Sequence, residues 1–292
     1  MRVSTGISTI ALGDTLYPPL MAQIPDPPLK LFVWGDPAIL SSPALAIVGT
    51  RKPTDYGIRA AAYFARQLAG SLVIVSGIAY GIDTVALAEA AGQDARPVVA
   101  IIGSGLNRED FYPQANWNLA LKIVEQGGAI ISEYPPGMPP QKHHFPARNR
   151  IIAGLSRGVL VVEGGENSGA LITAHLALDY NREVFALAGS VFVPQAVGVN
   201  QLIREGAGMV THPDDILIEL GLPPSSTGMS VASSLSAADN QILQLLNEQA
   251  MSVDEIAKST QLDSAGVSST LTLMEIEGLV KSIGAGKFTR LR

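Results

Sequence analysis

Six short, continuously apolar runs alternate along the chain with longer segments of helical length. The runs are ALAIVGT (44–50), SLVIVSG (71–77), PVVAIIG (97–103), GGAIISE (127–133), GVLVVEG (158–164) and REVFALAG (182–189). Strands that are apolar at every position are buried on both faces, as in a parallel sheet covered by helices. The intervening segments, such as 57–69, 82–91, 115–126 and 169–180, can each hold a crossover helix. The pattern predicts an α/β fold: an extended Rossmann-like, mostly parallel sheet with helices on both faces.

The first 43 residues follow a different pattern, with proline pairs in YPPL and IPDPP. Proline cannot donate to a strand ladder, so these stretches favour extended segments and turns. We predict that 1–43 is an extension that packs on the sheet, with an edge strand at KLFVWG (30–35). The Rossmann-like domain is then expected over 44–221.

The C-terminal part of the chain has the pattern of a separate small domain. Residues 222–234 are rich in proline, serine and glycine and lack periodicity, which is typical of a linker. Three helices are predicted at 236–249, 252–260 and 263–279, with Ser236, Ser252 and Asp263 as their N-caps. A hairpin over 280–292, turning at Gly284-Ala285-Gly286, completes a winged-helix domain at 235–292.

Composition excludes several classes of protein. The 20 basic and 26 acidic residues give a net charge of -6, so any site for a polyanion must be local. Cysteine is absent and the four histidines show no metal-site spacing, so we predict neither disulfide, nor metal, nor cofactor. No apolar run reaches the ~20 residues of a membrane span, and no signal-peptide pattern is seen. We therefore expect a cytoplasmic protein that does not contact a membrane.

A local concentration of cations stands out against this acidic background. Residues 134–162 contain no aspartate or glutamate, and they hold Lys142, Arg148, Arg150 and Arg157. Phe145 lies between the lysine and the first two arginines, an arrangement that fits single-stranded nucleic acid, because a base stacks on the ring while cations follow the backbone. The alternative is structural: Phe145 belongs to the core, and the arginines cap strand-end carbonyls or pair with glutamates such as Glu133 and Glu163. The residues alone leave both interpretations open.

Four predicted strands end in glycine-containing segments: 48–57, 76–83, 102–113 and 166–175. These segments, called strand exits below, can present free backbone N–H groups at one edge of a parallel sheet. The helix that starts in or after each of them adds a positive dipole. We predict an anion-binding edge that includes Gly49, Thr50 and Arg51 after the first run, and Ser168 and Gly169 at a helix start. Tight βα turns would explain much of the same pattern. The Gly-x-Gly-x-x-Gly and Gly-Lys-Ser/Thr nucleotide motifs are absent.

The sequence gives little support for a catalytic site. Glu133 and Glu163 both follow predicted strands and could form a carboxylate pair. Ser168 and His175 are seven residues apart, roughly 10 Å along a helix, so they cannot hydrogen-bond directly. We interpret them as a helix cap and a helix-face histidine, and we predict no catalytic residue.

Several long stretches are more specific than the general patterns of an α/β fold can explain. They are AIVGTRKPTDYG, SGIAYGIDTVA, IIGSGLNREDFYP, SEYPPGMPPQKHHFPARNRIIAGLS, VLVVEGGENSGALITAHLALDYNREVFALAG and GVNQLIREGA. In this order, over roughly 14–218, they resemble the DNA-processing protein A (DprA, or Smf) family. The resemblance implies a non-enzymatic homodimer that binds single-stranded DNA, protects it and loads the RecA recombinase on it during natural transformation. It also implies DNA contacts by Gly49, Thr50, Arg51, Lys142, Phe145, Arg148 and Arg150.

This chain departs from the family pattern at two positions. Where the family is expected to carry SGLARGIDTAAH, Tyr80 replaces an arginine and Leu87 replaces a histidine. A phosphate-facing cation is thereby lost, although Tyr80 could stack on a base instead.

Two other functional classes remain as alternatives. The first is an enzyme, since nucleoside-monophosphate phosphoribohydrolases resemble the chain where a strand leads through two glycines into a helix. The matching segment here, EGGENSGALITAH, lacks the proline and the following glutamate of those enzymes. A winged-helix transcription regulator is the second alternative. Its presumed recognition helix, 264–277, contains Glu275 and Glu277 and no lysine or arginine, which disfavours docking on duplex DNA.

Overall fold

The protein is described here by a computed structural model, which covers residues 6–92, 97–224, 237–260, 262–276, 279–284 and 286–290. The chain forms two compact units, Met1–Ser225 and Ser226–Arg292. Of the predicted linker, residues 225–234 lie outside the described part of the chain, and so does the predicted cap Ser236.

The larger unit is built on one nine-stranded sheet. Its strands are β1 (Ile7–Ala11), β2 (Lys30–Gly35), β3 (Ala44–Val48), β4 (Val73–Ser76), β5 (Val99–Ile102), β6 (Ala129–Ser132), β7 (Gly158–Val161), β8 (Glu183–Ala186) and β9 (Gly208–Met209). Their order is β1-β2-β6-β5-β4-β3-β7-β8-β9, and every pairing from β6 to β9 is parallel. All six apolar runs form strands of this sheet, which confirms the predicted fold class.

The strand predicted at 30–35 exists, but its predicted position at the sheet edge is wrong. β2 pairs antiparallel with β6 on one side and with β1 on the other, so β1 is the edge strand. Only Ile10 of β1 is buried. Because β1 lacks a continuous or alternating apolar pattern, its sequence gives little sign of a strand.

Seven α-helices in the described part of the larger unit cover the two faces of the sheet. They are α1 (Asp55–Leu68), α2 (Ile82–Gly92), α3 (Trp117–Glu125), α4 (His144–Leu155), α5 (Gly169–Asp179), α6 (Val197–Arg204) and α7 (Pro213–Glu219). Alternate residues of the interior strand β3 enter different apolar layers, since side chains alternate across a strand. Leu45 and Ile47 pack in the layer of α1, α2, α3 and α7, whereas Ala46 and Val48 pack in the layer of α4, α5 and α6.

The order of the strands creates a crevice at the carboxyl edge of the sheet. From β3 the chain builds outward through β4, β5 and β6, and it then returns to the other side of β3 with β7 and β8. The chain segments leaving β3 and β7 therefore diverge. In open α/β sheets this switch point is where ligands bind.

The smaller unit contains helices α8 (Ala237–Glu248), α9 (Val253–Thr260) and α10 (Ser264–Ile276), and a three-stranded sheet. Its strands are β10 (Met251–Ser252), β11 (Val280–Ser282) and β12 (Lys287–Arg290), in the order β10-β12-β11. The predicted caps Ser252 and Asp263 accept hydrogen bonds from the N–H groups of Glu255 and Gly266. The predicted hairpin is also confirmed, with Ala285 of its turn outside the described residues. None of the described helices of either unit is long and apolar enough to cross a membrane.

Candidate functional site

An open cavity of about 600 Å³ lies in the crevice between the ends of β3 and β7. One wall is formed by residues 48–51, which leave β3, and another by residues 165–170, which lead from β7 into α5. The first two turns of α4 close it from a third side. Of the predicted site residues, the cavity is lined by Gly49, Thr50, Arg51, Phe145, Arg148, Ser168 and Gly169.

Arg51 and Phe145 form the accessible part of this wall. Arg51 is exposed, and its guanidinium carbon lies 5.9 Å from the centre of the Phe145 ring, within the range of a cation–π contact. Phe145 is half-buried, and its ring centroid lies 5.3 Å from that of Tyr112. A ring that borders a cavity beside a cation does not match the core phenylalanine of the structural alternative.

Arg148 lines the same cavity, but its guanidinium is directed into the protein. The residue is 5% exposed, and its Nη1 donates to the carbonyl oxygens of Gly77, at 2.6 Å, and of Ile101. These carbonyls follow β4 and belong to β5, so Arg148 caps strand-end carbonyls, as the structural alternative describes. Its buried Nε has no hydrogen-bond partner among the described residues. Arg148 therefore supports the cavity wall and keeps one unused donor there.

A buried carboxyl that the sequence analysis missed lies beside Arg148. A Cβ placed on Gly77 would be 2.5 Å from Nη1 of Arg148 and 2.6 Å from Oδ2 of Asp83. Both charged groups therefore lie against the Cα of Gly77, where no larger residue would fit. Burial raises the pKa of Asp83, while the Arg148 charge and nearby backbone N–H groups act in the opposite direction. Burial lowers the pKa of Arg148 to about 10, so it stays charged at neutral pH. The sequence signal that could have indicated this site is an aspartate in the first turn of α2, a helix that is otherwise mostly apolar.

Arg150 and Lys142 do not line the cavity. Arg150 donates from Nη2 to Glu133 at 2.6 Å and from Nε to Asp26 at 3.2 Å, the first of which is the pairing that the structural alternative predicted. Lys142 is exposed in the turn before α4. The cationic stretch therefore divides into Arg148 at the cavity, Arg150 in an ion-pair cluster and Lys142 on the surface.

The prediction that strand exits present free backbone N–H groups is wrong at two positions. The N–H groups of Thr50 and Gly105 donate to the carbonyls of Glu163 and Met138, each at 2.7 Å. The start of α5 differs, because Ser168 caps it through a long 3.3 Å bond from the Ala170 N–H and Gly169 has open space around it. The N-terminus of α5, with its positive dipole, is thus one part of the predicted anion-binding edge that faces the cavity, opposite Gly49, Thr50 and Arg51.

The proposed carboxylate pair is not formed. Glu133 follows β6 and Glu163 follows β7, and four inter-strand steps of ~4.8 Å separate these strands by roughly 19 Å. Glu163 is buried and accepts two hydrogen bonds from Thr54, which fixes the start of α1. Among the described residues, no group of three or more histidines and carboxylates is placed to hold a metal ion.

Comparison with models of protein families shows which family the larger unit matches. A family model described as DNA recombination-mediator protein A matches residues 8–221. The chain belongs to this DNA recombination-mediator (DprA/Smf) family. A second model, the DprA winged helix domain, matches residues 229–286 and confirms the predicted class of the smaller unit.

Relatives of the DprA/Smf family cover most of the chain. Protein Smf of Escherichia coli K12 is 38% identical over 292 residues, covering 97% of this chain and 77% of that protein. DNA processing protein A of Streptococcus pneumoniae, known from an X-ray structure, is 42% identical with a TM-score of 0.68, covering 73% of this chain and 74% of that one. The Helicobacter pylori protein, whose structure was described for its unique single-stranded DNA binding mode, is 31% identical with a TM-score of 0.65, covering 75% of this chain and 98% of that one.

The two departures from the DprA/Smf pattern fall in different environments. Leu87 is fully buried in the apolar layer beneath α2, where it cannot reach a ligand. Tyr80 is 47% exposed and lines a second, smaller cavity next to the first. Only the change at Tyr80 therefore alters the surface around the candidate site.

Proposed function

We propose that this protein binds single-stranded DNA through the cavity between β3 and β7, without chemically changing it. The observation that carries the proposal is the pairing of exposed Arg51 with the half-buried Phe145 ring at the cavity wall. A cation that contacts phosphate, next to a ring that stacks on any base, is what sequence-tolerant single-strand binding needs. The N-terminus of α5 supplies a further attraction for a phosphate on the opposite wall.

The electrostatics favour a single strand over duplex DNA. Within the cavity lining, the charges of Arg51 and Arg148 are matched by those of Asp83 and Glu166. Binding therefore depends on a few local contacts and on stacking, which needs unpaired bases. The Helicobacter pylori relative, whose structure was described for its single-stranded DNA binding mode, supports the same choice.

We include in the proposal that the protein acts as a homodimer, protects incoming DNA and delivers it to the RecA recombinase during natural transformation. Membership of the DprA/Smf family supports these steps. Sedimentation of the free protein measures the oligomeric state. Formation of RecA filaments on strands presented by this protein measures the delivery.

The experiment that tests the binding step is a salt titration with fluorescently labelled oligonucleotides, single-stranded and duplex. Arg51 and the exposed Lys52 and Lys142 offer two or three phosphate contacts, so the log–log salt slope should be about -1.4 to -2.1 for the single strand. Duplex of the same sequence should bind more weakly at every salt concentration. Equal affinity for the two forms would refute the proposal.

A further inference from the structure

The second cavity is a narrow space of about 10 Å³ with aromatic walls, so a nucleobase can stack on its exposed rim but cannot enter it. It is lined by Tyr80 after β4, Tyr112 after β5 and Phe145 on α4, together with glycines of the strand exits. It shares Arg51, Ala79, Phe145 and Arg148 with the first cavity. The two cavities are therefore neighbours on either side of a common wall.

The two tyrosines are not held by the protein as core residues are. Tyr80 is 47% exposed and Tyr112 is 40% exposed. Neither hydroxyl has a hydrogen bond to any residue that the structure describes, in contrast to the buried Tyr17, which donates to the Pro28 carbonyl at 2.8 Å. Aromatic rings left half in solvent beside a cation are available to a ligand.

The backbone that carries Tyr80 is, by contrast, fixed. Gly81 adopts a φ of +82°, and a Cβ there would lie 2.4 Å from the Thr50 carbonyl oxygen, so the loop lies directly against the backbone of Thr50 and Arg51. The Ile82 N–H donates to the same carbonyl at 3.2 Å, and the Thr84 hydroxyl donates to the Ala79 carbonyl at 2.6 Å. A rigid loop thus holds an exposed ring next to Arg51, and little conformational entropy is lost when that ring is covered.

We propose that the exposed rings of Tyr80 and Tyr112, at the rim of the second cavity, form a second nucleobase subsite, which stacks the base adjacent to the one on Phe145. The proposal rests on the proposed function, because it extends the single-strand path from the first cavity across Arg51. A phosphate held by Arg51 at the common wall links the two nucleotides. Tyr80 then contributes through stacking and not through charge.

The test measures the affinity of Tyr80→Ala and Tyr112→Ala for a fluorescent oligothymidylate, with Tyr63→Ala as the matched control. Tyr63 is a similarly exposed tyrosine on α1 that lines neither cavity. Each subsite variant should bind roughly 5- to 150-fold more weakly, with an unchanged salt slope because no charge is removed. Tyr80→Phe and Tyr63→Ala should bind like the unmodified protein.

Two further comparisons make the result specific to stacking. Abasic sites within the oligonucleotide should weaken its binding to the unmodified protein, and Tyr80→Ala should reduce that difference. Tyr80→Arg should exchange a base contact for a phosphate contact, which steepens the salt slope by about 0.7.

The outcomes separate the subsite from the proposed function. Normal affinity of a folded Tyr80→Ala protein, together with weak binding by Phe145→Ala, would overturn the subsite and leave the proposed function standing. Absence of single-strand binding by the unmodified protein would overturn both. Should Tyr112→Ala lower the melting temperature, Tyr80→Ala decides alone, because its side chain is half-exposed and its loop is held by backbone contacts.

Discussion

Arg51 and Phe145 come from different elements and meet at one wall of the main cavity, with the guanidinium carbon 5.9 Å from the ring centre. Arg51 follows β3, an interior strand of the sheet, and Phe145 lies in the first turn of α4. Because α4 packs on the sheet, the backbone segments that carry this cation and this stacking ring are held close together before any ligand binds.

Replacing Arg51 by alanine should weaken single-strand binding by roughly 10- to 150-fold, since a charged hydrogen bond to phosphate is lost. The salt slope should become shallower by about 0.7. Melting should be unchanged, because the side chain is exposed. Anisotropy titrations at several salt concentrations measure both effects.

Arg150→Ala is the matched control for this prediction, since Arg150 pairs with Glu133 and Asp26 and lines neither cavity. It should lower the free energy of unfolding by about 1–3 kcal/mol and leave the salt slope unchanged. If Arg150→Ala flattens the slope while Arg51→Ala does not, the DNA path lies elsewhere on the protein.

Phe145→Ala should reduce affinity roughly 5- to 150-fold without changing the salt slope, because stacking and not charge is removed. Phe145→Trp should retain most of the binding, since the ring borders open space. Thermal melting recorded alongside binding distinguishes stacking from a core role, in which alanine would cost ~3–5 kcal/mol of stability. Unchanged affinity in a folded Phe145→Ala protein would exclude the stacking role.

Arg148→Ala should behave differently from Arg51→Ala, although both residues line the cavity. It leaves the buried Asp83 without its neighbouring cation and two backbone carbonyls without their donor, so a loss of about 3–5 kcal/mol of stability is expected. Adding Asp83→Asn to the variant should recover part of that loss. Chemical denaturation of the two single variants and the double variant measures this coupling, and strictly additive losses would argue against it.

His144 should make the stability of the larger unit sensitive to mild acid. Its Nδ1 lies 3.1 Å from the Gly103 carbonyl, which can only accept, so Nδ1 carries the proton, and the ring stacks on Tyr134. Burial lowers the pKa of His144 below its usual value of 6.5, and His143 acts in the same direction. The stabilisation from the neutral ring is therefore complete above about pH 6.5 and is lost as the pH falls through the lowered pKa.

The measurement is thermal melting of the unmodified protein and of His144→Asn between pH 7.5 and pH 5. The asparagine amide can still donate to Gly103 but does not titrate, so the variant should lose less stability on acidification. The remaining histidines are present in both proteins and cancel from the comparison. Identical pH dependence would show that His144 does not titrate in this range.

The parallel core of the fold follows directly from the sequence, because strands buried on both faces must be apolar at every position. β1 could not be recognised in this way, since its first three residues are exposed and its place in the sheet depends on pairing with β2. β1 and β2 lie at the two ends of a long segment that contains several prolines. A local sequence pattern does not show that two such distant strands pair.

The site was predictable in composition but not in orientation. Arg148 and Arg150 look equivalent in the sequence, yet on α4 they are two residues apart and so point to different sides of the helix. One turns towards β4 and β5, the other towards Glu133. The roles of Asp83 and Tyr112 depend on which strand exits become neighbours in the sheet, and that information is contained in the topology.

The common wall of the two cavities has a thermodynamic consequence. A base stacked on Phe145, or one stacked on the tyrosines at the rim of the second cavity, orders the side chain of Arg51 at the common wall, and a second base then binds beside a side chain that is already ordered. Occupancy of one stacking position should therefore raise the affinity of the other, by a reciprocal factor that is the same in both directions. Two joined nucleotides would gain from this coupling, and a mononucleotide bound alone would not.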